Sequence, residues 1–309
     1  MTDPIKDLGP GKVSLGVTPT LWWNDDFPLI DTGIGFEQCV SEMALAGFQG
    51  CSTGHKYPSD PARLSAALAQ RGLRVSEPWV STYFTIGERE LTVSRFRKQL
   101  DFLDHLGKTG KDADIVVAEF GRSSHLQPIP LFDHRPEFTG DEWDLLATGL
   151  DELGRLAAER GRKLCYHHHM GTGVQTAEDV DNLMRRTDRN LLHLLLDTGH
   201  LRFAGDDPLA VARKHADRIK HVHLKNVRLA VVDKVRANRL SFEEAVREGV
   251  FTVPGDKEGA IEFEPVLRVL GEAGYQGWLV VEAEQDPAKA CPLEYAKKAR
   301  DFLRVALGW

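Results

Sequence analysis

Four apolar runs in the second half of the chain end in imidazoles and carboxylates. They are Tyr166-His167-His168-His169-Met170-Gly171, Leu195-Leu196-Asp197-Thr198-Gly199-His200, His221-Val222-His223-Leu224-Lys225 and Val280-Val281-Glu282-Ala283-Glu284. If each run is a strand, alternate side chains share a face. His167 then points with His169, His221 with His223 and Lys225, and Glu282 with Glu284. Nitrogen and oxygen donors without sulfur suit Mn²⁺, Co²⁺ or Zn²⁺, whereas Mg²⁺ prefers oxygen alone, and Mn²⁺ or Co²⁺ is the expected ion. Asp197 follows Leu194-Leu195-Leu196, where an unpaired carboxylate is costly unless a cation or donor meets it, so a functional role is expected. Glu282 has the same support from Leu279-Val280-Val281, and Glu284 lies further out, as a solvated or supporting carboxylate. His200, close behind Asp197, either caps the turn or transfers a proton. His168 and His221 read as hydrogen-bonded structural groups.

Such run ends meet only on a scaffold that gathers strand ends. From residue 13 onward, strand-like runs alternate with amphipathic helical stretches and no long Pro/Gly/Ser linker intervenes, the pattern of a parallel sheet with helices outside it. The strands expected are 13–17, 48–51, 74–80, 114–119, 163–167, 192–197, 219–225 and 278–282, the number that closes an α/β TIM barrel, (β/α)8, as a single domain over 1–309. Apolar stripes mark the helices, among them Phe36, Val40, Met43 and Ala44; Leu146, Leu150, Leu153 and Ala157; and Leu293, Ala296, Ala299, Leu303 and Ala306. Asp60-Pro61 and Asp207-Pro208 read as N-caps before an N1 proline, and Gly72, Gly161 and Gly274 as glycines just past helix ends. Segment 228–251 reads as a partly helical lid inserted after the seventh strand. Chemistry in a barrel of this kind sits at the C-terminal ends of the strands, where the four runs end.

Composition narrows the field. Hydrophobic residues make up 42% and charged residues 28%, with no apolar run near bilayer-spanning length, so no membrane partner is expected. The first residues carry neither a secretory apolar core nor an Arg-rich amphipathic pattern, which points to the cytoplasm. Four cysteines, Cys39, Cys51, Cys165 and Cys291, show no paired C-x-x-C spacing and read as reduced structural thiols. A net charge of −7 with no offsetting block of Lys and Arg argues against nucleic acid.

Five stretches together carry a family resemblance: Tyr166-His-His-His-Met-Gly-Thr172, Leu194-Leu-Leu-Asp-Thr-Gly-His200, Lys220-His-Val-His-Leu-Lys225, Phe251-Thr-Val-Pro-Gly-Asp256 and Gly277-Trp-Leu-Val-Val-Glu-Ala-Glu-Gln-Asp-Pro287. Over essentially its whole length the chain resembles the inosose (2-keto-myo-inositol) dehydratases, within the xylose isomerase-like TIM barrel superfamily. Relatives commonly hold a metal with a fifth-strand Glu, a sixth-strand Asp, a seventh-strand His or Gln and an eighth-strand Glu. The resemblance therefore implies Asp197, His223 and Glu282 as ligands. The fifth-strand position departs from the pattern and falls on His167, with His169 as its neighbour, and no fifth-strand Glu is present to act as an epimerase base. The implied reaction is a hydro-lyase's in inositol catabolism: the ketone loses an α-proton, and the β-hydroxyl leaves as water to give a trihydroxycyclohexane-1,2-dione. Candidates for the two proton transfers are His200, His169, Lys225 and Glu119, and Lys225 reads equally as an ion-pair partner. A requirement for reduced glutathione rests on the resemblance alone.

A small cyclitol ketone needs apolar and polar contacts. Trp22 and Asn24 after the first strand and His55 and Lys56 after the second are the expected substrate contacts, with Glu284 beside them; the alternative for a Trp is packing against a neighbouring subunit, as in a homo-oligomer. A ketose isomerase or epimerase of the same superfamily is the main rival function. A phosphodiesterase would need a basic rim that the sequence lacks, and a non-catalytic binding module leaves the His-carboxylate strand ends unexplained.

Overall fold

The computed structural model describes residues 4–309. Its strands are β1 (Val13–Val17), β2 (Gly50–Cys51), β3 (Arg74–Val75), β4 (Trp79–Thr82), β5 (Ile115–Glu119), β6 (Leu164–His167), β7 (Leu192–Asp197), β8 (Ile219–Leu224), β9 (Asn226–Val227), β10 (Phe251–Thr252) and β11 (Gly277–Val281). All but β9 and β10 form one parallel sheet in the order β3-β2-β1-β11-β8-β7-β6-β5-β4. The expected strand 74–80 is thus divided, with its halves at opposite ends of that order. The interruption is Ser76-Glu77-Pro78, where Pro78 has no N–H to offer a ladder. The linking residues nevertheless bond to both sides. Ser76 N donates to the Cys51 carbonyl at 2.9 Å and Thr53 N to that of Glu77 at 3.0 Å. On the other side Asp114 N donates to the Ser76 carbonyl at 3.0 Å and Val116 N to that of Pro78 at 3.1 Å. The sheet closes through this interrupted stave, giving the eight-staved barrel.

Around it run α1 (Phe36–Leu45), α2 (Pro61–Ala69), α3 (Arg89–His105), α4 (Gly140–Glu159), α5 (Ala177–Arg186), α6 (Thr198–Ala204), α7 (Pro208–His215), α8 (Leu229–Asn238), α9 (Phe242–Arg247), α10 (Phe263–Glu272) and α11 (Pro292–Leu307). The stripe Leu146, Leu150, Leu153 and Ala157 of α4 is fully buried, as are Ala296, Ala299 and Leu303 of α11. Asp60 and Asp207 accept backbone N–H groups at the starts of α2 and α7, each followed by an N1 proline. Gly72, Gly161 and Gly274 adopt positive φ beyond helix ends. Segment 228–251 holds α8 and α9 and is closed at its base by the antiparallel pairing of β9 with β10. Arg228 pins that base by donating to the carbonyls of Gly249 and Phe251 at 2.8 and 3.1 Å. None of the described helices is long and apolar enough to cross a membrane.

Inside the barrel an apolar layer of Val116, Cys165 and Leu195 lies apart from the outer core. At the N-terminal end the buried indole of Trp278 donates to the Asp112 carbonyl at 2.9 Å. The ring needs the space left by Gly50, where a Cβ would lie 2.5 Å from Trp278 Cη2 and 2.6 Å from the Arg74 carbonyl oxygen. Gly50→Ala is therefore expected to destabilise the protein by about 1–3 kcal/mol through overpacking, read as a lower urea midpoint with an unchanged slope.

Candidate active site

The parallel register brings the polar strand ends to one level. Asp197 at the end of β7 pairs with His223 of β8, His223 pairs with Val280 of β11, and Glu282 follows β11 directly. His167 closes β6, beside Leu195. One ligand atom each from His167, Asp197, His223 and Glu282 lies within 4.8 Å of the others. His167 Nε2 is 3.4 Å from Asp197 Oδ2 and 3.9 Å from Glu282 Oε2, and His223 Nδ1 is 3.8 Å from Asp197 Oδ2 and in close contact with Glu282 Oε2. Asp197 Oδ1 accepts from His200 N at 2.7 Å, as the N-cap of α6, which leaves Oδ2 for the centre. Asp197 Oδ2, His223 Nδ1 and Glu282 Oε2 are buried and make no well-formed hydrogen bond, their polar contacts being with one another, His167 and Lys225. Buried polar atoms in native proteins are seldom left so, and several converging on one point fit a divalent ion held by two imidazoles and two carboxylates.

Lys225 lies beside this quartet with 0% exposure. Its Nζ is 3.4 Å from Asp197 Oδ2, 3.3 Å from Glu282 Oε2, 2.8 Å from Glu284 Oε2 and 2.9 Å from His200 Nε2. Burial would lower the Lys225 ammonium, but Asp197, Glu282 and Glu284 hold it above its ordinary value. Burial would likewise raise Asp197, whereas Lys225 and His167 hold its carboxyl at about 2. Burial, His125 and His167 push His169 below its ordinary value against the pull of Glu284, and burial, His169 and Lys225 push His200 below its own. Their ring centroids lie 3.9 Å apart with the planes tilted by 42°. His169 Nδ1 lies 2.8 Å from the Met170 carbonyl and must donate to it, so the proton sits on Nδ1 and the Nε2 lone pair is free, 3.8 Å from Glu284 Oε1.

A cavity opens above the quartet, lined by Thr18, Asn24, Asp26, Glu77, Trp79, His167, His169, His223, Glu282 and Glu284 among others. Asn24 lies on it as expected: Oδ1 accepts from the Asp26 and Phe27 N–H groups at 2.8 Å each, and buried Nδ2 has no partner. Trp22 does not reach the cavity; its buried indole donates to Glu42 of α1 at 2.6 Å, holding the first loop inside this chain. His55 pairs with Asp25 and Lys56 with Asp31 at 2.7 Å, and neither lines the cavity. Glu119 is also withdrawn from the chemistry. Its carboxylate accepts from the Thr82 and Thr85 hydroxyls at 2.7 and 2.8 Å and from the N–H groups of Phe84, Thr85 and Gly121 at 3.0, 3.2 and 3.2 Å. It is a saturated buried anion that ties β5 to the turn after β4. His168 Nε2 accepts from Asp197 N at 3.3 Å and His221 lies between two carboxylates, both structural roles.

The sequence reading missed Asp26, Glu77 and Trp79. Glu77 and Trp79 fall inside what reads as one strand, and only the break at Pro78 signals them. Trp79, 39% exposed, meets His167 edge to face with centroids 5.3 Å apart and supplies the apolar surface that Trp22 was expected to give. Phe242 of α9 walls the other side, its centroid 5.4 Å from His169 and 6.2 Å from His200.

The sequence profile of the xylose isomerase-like TIM barrel family matches residues 26–306. The inosose dehydratase of Geobacillus thermodenitrificans is 53% identical over 298 residues, 96% of this chain and 98% of that protein. The chain belongs to the inosose dehydratase family. Another member, from Clostridium tetani, is 49% identical over 294 residues, 95% of this chain and 97% of its own length. Among solved structures, the IOLI protein with a bound zinc atom has a TM-score of 0.70 at 15% identity, covering 96% of this chain and 98% of that one. An L-ribulose 3-epimerase has a TM-score of 0.66 at 18% identity over 96% and 95%. At such identities the likeness of inosose dehydratases to these structures is one of fold.

Glu119→Ala would leave three backbone donors without their acceptor. We expect a loss on the order of 3 kcal/mol in unfolding free energy with divalent-metal stoichiometry unchanged, measured by urea denaturation and metal analysis.

Proposed function

We propose that this chain is a divalent-metal-dependent hydro-lyase that removes water from 2-keto-myo-inositol to give a trihydroxycyclohexane-1,2-dione, with Mn²⁺ or Co²⁺ as its ion. The observation that carries this reading is the convergence of buried ligand atoms from His167, Asp197, His223 and Glu282 on the floor of a cavity that also presents Nε2 of His169. His167, Asp197, His223 and Glu282 would hold the ion, which supplies Lewis-acid stabilisation of charge developing on the ketone oxygen. The other roles belong to the chain. Trp79 covers the C–H face of the ring, and Asn24 Nδ2 and the Asp26 and Glu284 carboxylates take its hydroxyls. His169 Nε2 removes the α-proton while Nδ1 stays bonded to the Met170 carbonyl, which fixes the ring. The imidazolium so formed returns that proton to the β-hydroxyl as the C–O bond breaks, so water leaves the enol of the product, which ketonises to the dione as its hydroxyl proton moves to the former β-carbon, with no proton gained or lost overall. Glu284, held by Lys225, lies where it stabilises the His169 cation, and His200, packed against the ring at a tilt, keeps it in place. Segment 228–251 acts as the lid, with Phe242 keeping solvent from the two imidazoles.

Chelator-stripped protein given 2-keto-myo-inositol with and without Mn²⁺ or Co²⁺, followed by dione absorbance and product mass, tests the reading. Metal-restored loss of one water is expected. A product of unchanged mass would move the reaction to isomerase or epimerase, and no turnover with metal bound would withdraw the substrate. Asp197→Ala and Glu282→Ala are expected to lose metal and turnover together. His169→Gln should keep the metal and lose roughly 10²–10⁴-fold in kcat, checked by isothermal titration beside steady-state kinetics.

A further inference from the structure

Below the cavity the barrel interior carries a row of charged groups that the proposed reaction does not use. Glu77 Oε1 lies 3.3 Å from His223 Nε2, the ring nitrogen turned away from the quartet. Glu77 Oε2 lies 3.3 Å from His221 Nε2, and His221 Nδ1 lies 3.0 Å from Asp114 Oδ2. All three residues of the row are buried, and Lys163 Nζ meets Asp114 Oδ1 from the surface at 3.7 Å. Barrel interiors are usually filled by branched apolar side chains, and a buried ionic row is seldom more stabilising than an apolar replacement. This one therefore needs a reason other than stability.

Its order supplies one. His221 has a carboxylate at each ring nitrogen: Nδ1 is hydrogen-bonded to Asp114, and Nε2 lies 3.3 Å from Glu77 Oε2. Glu77 is thereby anchored from below and presents its other oxygen to His223. A neutral imidazole carries one N–H, and an acceptor at Nε2 places it there and frees the Nδ1 lone pair for the centre.

Resting on the reading of His223 as a metal ligand, we propose that Glu77 is a positioning residue of the metal centre that orients His223 and fixes its Nε2–H tautomer, braced by His221 and Asp114. Co²⁺ titration of the full-length protein without substrate, followed by calorimetry and by the visible d–d bands, tests it. Glu77→Gln is expected to weaken Co²⁺ binding by roughly 10- to 100-fold and to shift the bands, Glu77→Asp to recover part of both, and Asp114→Asn to weaken binding less. A folded Glu77→Gln protein with wild-type affinity and bands would overturn the proposal. Asp197→Ala separates this failure from that of the metal centre: if it binds Co²⁺ as the wild type does, the quartet itself is wrongly assigned. Should Glu77→Gln not fold, ¹⁵N NMR of the histidines in the Zn²⁺-loaded wild type decides. A proton on His223 Nε2 with the metal at Nδ1 supports the proposal, and the reverse arrangement overturns it.

Discussion

Three carboxylates cannot share a water-poor volume unless positive charge stands among them, and the mouth of this barrel is arranged around that constraint. Asp197, Glu282 and Glu284 are all buried, and the Lys225 ammonium lies within 3.4 Å of each. One ammonium does not balance three anions. The uncompensated remainder is directed at the point where Asp197 Oδ2 and Glu282 Oε2 meet His167 and His223, the four groups that would hold an ion. The neighbouring imidazoles follow the same field. Burial, His169 and Lys225 push His200 below its ordinary value, whereas His221, enclosed by Glu77 and Asp114, is held above its own against the effect of burial.

The barrel's dimensions impose a second constraint. Strand ends deliver side chains in steps of two residues, so His221, His223 and Lys225 stand at successive heights within one stave. The lowest braces, the middle one faces the quartet, and the uppermost neutralises. Space for this polar column is won low in the barrel, where Gly50 admits the Trp278 ring and Val116, Cys165 and Leu195 fill one level. The apolar layer and the ionic row divide the interior between them.

How much of this was legible in the sequence depends on how local the signal is. The barrel, its helix stripes and its N-caps rest on periodicity and on pairs such as Asp207-Pro208, short-range features that tertiary contacts confirm. Asp197 and Glu282 were legible because each terminates an apolar run, whereas His167 and His223 entered as ligands through the family resemblance. Glu119 ends just such a run too, and it misled for that reason: four donors from the end of β4 and the turn after it, more than thirty positions away, satisfy it together with the nearby Gly121 N–H. Trp22 misled because a Trp after the first strand looks like a ring platform until Glu42 is seen to take its N–H. Glu77 and Trp79 were hidden by the opposite fault, since a strand pattern running through Pro78 conceals the break that turns them toward the centre.

That break also ties assembly of the site to closure of the sheet. Glu77 sits in the stave whose two halves bond to opposite ends of the strand order, and its partner His223 is 146 residues further along the chain. No fragment shorter than that span contains both. The centre is consequently a non-local product of the fold, so any cation it takes favours the assembled barrel over forms that lack the site. An ion recruited for chemistry would in this way also serve as the fastening that holds the cylinder shut.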